Sequence, residues 1–113
     1  MSNEYAQLFE DFADAAKCCG SSVLSLPDED LEERLFEHLD KEISCLFHDS
    51  NLARLESAGL ITEEIQQLAR EVRKQWFNLQ SDDWSVEAAR TRPEWKEVFR
   101  RCDLIAEALA HNA

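Results

Sequence analysis

The sequence predicts an all-α fold, a single compact helical bundle of four main helices with one or two short helices between them. Three observations carry this. Apolar residues recur three and four apart along nearly the whole chain, the pattern of helices with one buried face. Glycine and proline occur only twice each in 113 residues, too few for a sandwich or barrel, which turns roughly every 8–12 residues. Hydrophobic residues make up 44% and charged residues 32%, a balance that supplies a core and excludes a disordered chain. With no linker, repeat or low-complexity tract, residues 1–113 read as one domain.

The elements follow in order. From Asn3 to Cys18, residues Tyr5, Leu8, Phe9, Phe12, Ala15 and Ala16 form one helical face, and Gly20 with Ser21 and Ser22 ends it as a left-handed cap and loop. A second helix of about 20 residues starts after Pro27 and ends near His48. Asp28, Glu29 and Asp30 crowd its first turn, where the helix dipole favours anions, and Leu31, Leu35, Leu39, Ile43 and Leu46 form its stripe, joined by Phe36 and Phe47. Asp49 or Ser50 caps a short helix carrying Leu52 and Leu55, closed by Gly59. Thr62 caps the next, whose stripe is Ile65, Leu68, Val72, Trp76 and Leu79. Residues 81–85, SDDWS, break the pattern before a short helix at Val86–Arg90. Thr91 to Glu94 reads as a capping box for the final helix, which carries Trp95, Val98, Phe99, Cys102, Ile105, Ala106 and Leu109 to about Ala110. The expected core contains Phe9, Phe12, Leu35, Leu39, Ile43, Leu68, Val72, Val98, Phe99 and Ile105.

The N-terminus has neither a basic region nor an apolar run of signal-peptide length, and no stretch is apolar enough to span a bilayer. Of the four cysteines, Cys18 and Cys19 are adjacent and poorly placed to bridge each other, while Cys45 and Cys102 fall on apolar faces. The expectation is a cytoplasmic protein with four free thiols.

The formal charge is −12, from 24 acids against 12 bases, which argues against nucleic acid and anionic membrane as partners. The excess is confined to one half: residues 1–64 carry 16 acids and 4 bases, whereas residues 65–113 carry 8 of each. In DEDLEE, residues 28–33, five of six positions are acidic. Asp30, Glu33, Glu37 and Asp40, three, four and three apart, form a second stripe away from the leucines. A solvated helix face is the plain reading of such a stripe. Self-repulsion favours a functional one: like charges at i, i+4 destabilise a helix, and a basic protein partner recovers that cost and is steered in rapidly.

No residue pattern specifies catalysis, and the expectation is a protein that is not an enzyme and carries no cofactor. Cys45 and His48 share a helical spacing, but zinc needs three or four ligands and no second pair stands at matching distance. Cys18 and Cys19 sit at a helix C-terminus, where the dipole opposes a thiolate. Among the three tryptophans, Trp76 and Trp95 fit helix stripes. Trp84, in the polar break, reads either as a plug for the bundle end or as a partner-binding anchor, tryptophan being enriched in binding hot spots.

The segment HDSNLARLESAGLITEEIQQLAREVRKQWFNLQ from His48, followed by WSVEAARTRPEWKEVFRRCDLIAEAL from Trp84, resembles the small helical immunity proteins of bacterial contact-dependent growth inhibition and related polymorphic toxin systems. The shared features are the short NLxxLxxxGLI turn at residues 51–61, an amphipathic helix, and a last helix of the form W…D-I…L. The resemblance covers over half of the chain and implies a small, cytosolic, catalytically inert inhibitor that binds one toxin domain. Many such toxins are nucleases with basic active sites, which an acidic surface complements. Asp30, Glu33, Glu37, Asp40 and Trp84 are the expected partner-binding residues. The alternative is an acidic adaptor or regulatory bundle that binds a host protein.

Overall fold

A computed structural model describes residues 5–111, and among them the chain forms six α-helices and no strand. Helix α1 is Ala6–Cys18, α2 spans residues 28–46, α3 is Asp49–Ser57, α4 is Glu63–Asn78, α5 is Val86–Thr91 and α6 is Pro93–His111. Short 3₁₀ turns at Ser21–Ser25 and Ser81–Asp83 join α1 to α2 and α4 to α5. The Asn3 start expected for the first helix lies outside the described residues.

The largest pairing is α4 against α6; α1 packs on α6, the second half of α2 packs on α1 and α4, and α3 closes on α4. These stripes merge into one core around Phe12, Leu35, Ile43, Val72, Trp95 and Ile105. Of the ten expected core residues, Phe9 and Leu68 are only half-buried, because each sits at the edge of its helix's apolar stripe and packs against the core from outside.

Helix α2 departs from the ordinary period. Between Glu33 and Leu39 it is π-helical, with an α-helix on each side and right-handed dihedrals at Glu33 (φ −60°, ψ −45°) and Asp40 (φ −57°, ψ −44°). The sequence contains the reason. Leu31, Leu35, Leu39, Ile43 and Phe47 are all fully buried and always four apart. An α-helix turns about 100° per residue, so each four-residue step overshoots by about 40° and a long stripe would spiral away from the core. The wider i→i+5 turn takes up that drift and keeps all five on one side. Of the two residues expected at its end, Phe47 completes the stripe and Leu46 is half-buried, as is Phe36. Cys45, expected on the apolar face, is exposed for the same reason, since it lies two residues from both Ile43 and Phe47.

Two of the caps use the residues the sequence offers. The Thr62 hydroxyl accepts from the Ile65 amide at 3.2 Å, and Gly59 takes the left-handed conformation (φ 74°) that ends α3. Three differ. Gly20 is extended at φ −78°, and what excludes a side chain there is the Asp103 carboxylate, which also accepts from the Ser21 amide at 3.1 Å. His48, rather than Asp49 or Ser50, caps α3, its ring Nδ1 accepting from the Ser50 amide at 3.1 Å. The capping box at Thr91 to Glu94 does not form: Pro93 holds Arg92 extended (φ −81°, ψ 138°), α6 starts at Pro93, and Thr91 ends α5 by donating to the Glu87 carbonyl at 2.8 Å. A capping box forms instead in the SDDWS break, where Asp83 Oδ2 accepts from the Gln80 amide at 2.9 Å.

The four cysteines are free thiols. Cys19 and Cys102 are buried between α1 and α6; the hydrogen bond to Cys102 and then burial push the Cys19 thiol well above its ordinary value of 9.0.

Candidate protein interface

The acidic first half of the chain is exposed mainly on α2. Asp28, Glu29, Asp30, Glu32, Glu33, Glu37 and Glu42 are all exposed along it. The π-helical stretch sets how they group. Glu33 reaches His38, five residues on, at 3.5 Å, a pairing the wider turn allows. Asp30 and Glu33 meet Arg34, His38 and Leu26 around a shallow cleft of about 240 Å³. Glu37 projects into solvent and forms no ion pair among the described residues.

Asp40 differs from the other three. It is half-buried, and its Oδ1 accepts from the indole Nε1 of Trp76 at 2.7 Å, short and charge-assisted. Its carboxylate satisfies a buried donor of the core and ties α2 to α4. The expected stripe therefore divides into a solvent-facing row, Asp30, Glu33 and Glu37, and one structural carboxylate at its end.

Trp84 is half-buried in an aromatic cluster at the bundle end. Its ring lies 5.5 Å from Phe36, 5.4 Å from Trp76 and 5.4 Å from Trp95, each edge-to-face. Such pairs contribute about 0.5–1.5 kcal/mol each beyond area burial. This is the geometry of a plug. The Trp95 indole in turn donates to the Asp83 carbonyl at 2.7 Å, which fixes the SDDWS turn over the cluster.

The exposed aromatic residue is Phe77, at 55% the most exposed large apolar side chain described. The Arg73 guanidinium lies over its ring at 4.7 Å and donates through Nε to the Ser44 carbonyl of α2 at 3.2 Å. The ring is thus held at the seam of α2 and α4, one residue beyond the Trp76 that grips Asp40. The sequence carries a signal for it. Ile65, Ala69, Val72 and Trp76 are buried at helical spacing, so Phe77 falls about 100° off the stripe, an aromatic residue the core does not use.

The arginines of the second half are engaged in structure. Arg90 donates to the Leu24 and Leu26 carbonyls at 2.7 and 2.8 Å and to Asp28 at 3.0 Å, clamping the approach to α2. Arg92 holds the buried Asp83 at 2.9 Å, Arg70 holds Asp49 at 3.0 Å, and Arg101 bridges Glu71 and Glu97. None of these reaches the Asp30, Glu33 and Glu37 row, which meets Arg34 and His38 of its own helix.

Among the described residues, no three His, Cys, Asp or Glu side chains are placed to hold a metal ion, and no helix is long and apolar enough to cross a membrane. Comparison with protein-family models, curated proteins and solved structures returns no match.

Proposed function

We propose that the protein is an immunity protein that neutralises a cognate bacterial toxin domain by stoichiometric binding, presenting the acidic face of α2 to a basic surface of the toxin. The observation that carries this reading is the solvent-exposed carboxylate row of α2, Asp30, Glu33 and Glu37, and it is supported by the exposed Phe77 ring, stacked on Arg73 at the seam of α2 and α4. The row supplies long-range steering and the aromatic supplies a desolvated contact, the two components of a fast and tight protein complex. A nuclease domain fits best, since its phosphate-binding surface is basic for chemical reasons of its own. The immunity-like pattern of residues 48–109 supports the same reading. Inhibition then needs no chemistry from this chain, only occupancy.

The reading requires a toxin gene directly upstream, and the test is co-expression with the toxin domain of that gene. Protection of the cells and a stoichiometric complex from purified components are expected. Cells that die at the same rate with and without the protein, together with no complex, would sink the proposal. A complex formed instead with a resident host protein would favour an adaptor role.

A further inference from the structure

A second surface lies away from these residues, and its argument does not rest on the toxin reading. Antiparallel α1 and α6 leave a groove between their outer edges, about 420 Å³ in volume. Phe9, Ala13 and Lys17 line one wall at i, i+4 and i+8; Ala106, Leu109 and Ala110 line the other; Leu60, 36% exposed at the tip of the α3–α4 turn, closes one end. Eight residues of α1 span about 12 Å, or two turns of a helix. Alanines on both walls let another backbone approach closely. Glu10 and Asp14, each one residue on from a lining residue of α1, and Glu107, one on from Ala106 of α6, are all exposed and stand about 100° round their helices from the groove walls, so acids flank the groove. Against them stands Lys17, which forms no ion pair among the described residues and whose stem lines the wall.

We infer that this groove docks an amphipathic helix of a partner protein, its apolar side seated between α1 and α6 and its flanking lysines or arginines paired with Glu10, Asp14 and Glu107. Charge selects this occupant. A second copy of the chain would bring another −12 charges to a groove flanked by acids, and an anionic lipid surface would meet the same repulsion.

The probe is a synthetic amphipathic helical peptide of leucine and lysine, titrated into the isotopically labelled full chain and read by methyl NMR. Resonances of Ala13, Leu60, Ala106, Leu109 and Ala110 should shift. A peptide of the same composition, scrambled so that no apolar face forms, controls for the overall charge and should bind at least tenfold more weakly. Ala13→Gln fills the groove from a half-buried position and should weaken the amphipathic peptide about tenfold with the melting temperature unchanged. Leu60→Ser, on the exposed turn, provides a second variant with the same expected direction. Equal binding of the scrambled peptide, shifts confined to α2, or indifference to both substitutions would overturn the inference. So would groove shifts that appear on concentrating the protein without peptide, which would assign the surface to self-association.

Discussion

Asp40 and Glu37 are three residues apart in one acidic run, yet their surroundings give them opposite roles. The Asp40 carboxylate satisfies the indole N–H of Trp76, which is 1% exposed, whereas Glu37 touches solvent. Asp40→Leu strands that donor and should cost about 1–3 kcal/mol in urea unfolding; Asp40→Asn keeps an acceptor oxygen and should cost less. An equal, negligible cost for both would show that the hydrogen bond contributes nothing. The cysteines divide in the same way. Native-state alkylation should reach exposed Cys45 first and half-buried Cys18 next, while Cys19 and Cys102 react only on unfolding. The raised Cys19 pKa also fixes a sign. Above the ordinary thiol value of 9.0 the unfolded chain releases a proton that folded Cys19 still holds, so the unfolded state binds fewer protons and stability falls as pH rises. Below that value this contribution is fully present. The urea midpoint should drop as pH rises above about 9, and Cys19→Ala should flatten the drop.

At the scale of the element, α2 gives the most direct link from sequence to backbone. Five buried residues at an unbroken spacing of four require more than 3.6 residues per turn, and the π-helical stretch provides it. Deleting exposed Glu37 changes the spacing between Leu35 and the original Leu39 from four to three, which brings the stripe back towards the α period. That deletion should leave a folded helical protein with a modest loss of melting temperature. Deleting Ala69 from α4, whose buried residues already follow the α period, should rotate Val72 and Trp76 off the core and abolish cooperative unfolding. The helices themselves were legible because 3.6-residue periodicity is a local property. Caps depend on single bonds and were less so: a histidine ring nitrogen substitutes for a hydroxyl at His48, and Pro93 shifts the start of α6 away from Thr91. The candidate interface was half legible. Charge can be counted from the sequence, which exposes the Asp30, Glu33 and Glu37 row, but the bond from Trp76 that removes Asp40 from it spans 36 residues of chain. Trp84 illustrates the same limit. Its polar neighbours suggest exposure, and the aromatic cluster from three other segments turns it into packing. Trp84→Ala should therefore lower the melting temperature and binding together. Loss of binding with an unchanged melt would restore it as an anchor.

Across the whole molecule, the charge imbalance couples stability to association. The arginines of the second half neutralise its own acids and clamp Asp28 and Asp49, so the excess is carried largely by α1 and α2. Self-repulsion of this kind is relieved by screening, and the free protein should melt at a higher temperature as salt shortens the Debye length from about 30 Å at 0.01 M to about 8 Å at 0.15 M. A basic partner relieves the same repulsion by a different route and should be most effective where salt is least. Stopped-flow association with the toxin domain should therefore slow steeply as ionic strength rises. Asp30→Lys combined with Glu37→Lys should slow association by about tenfold at low salt and flatten the salt dependence, because rim charges act on the on-rate. Phe77→Ala should act on the other rate. Its ring carries no charge, so association should change less than about twofold, while dissociation should quicken tenfold or more if the ring is a desolvated anchor, a loss of about 1.4 kcal/mol. The two variants share no contact and separate the steering field from the docking contact within one experiment. A real complex whose rates ignore both would move the interface off this face of α2 and α4 while leaving neutralisation by binding intact.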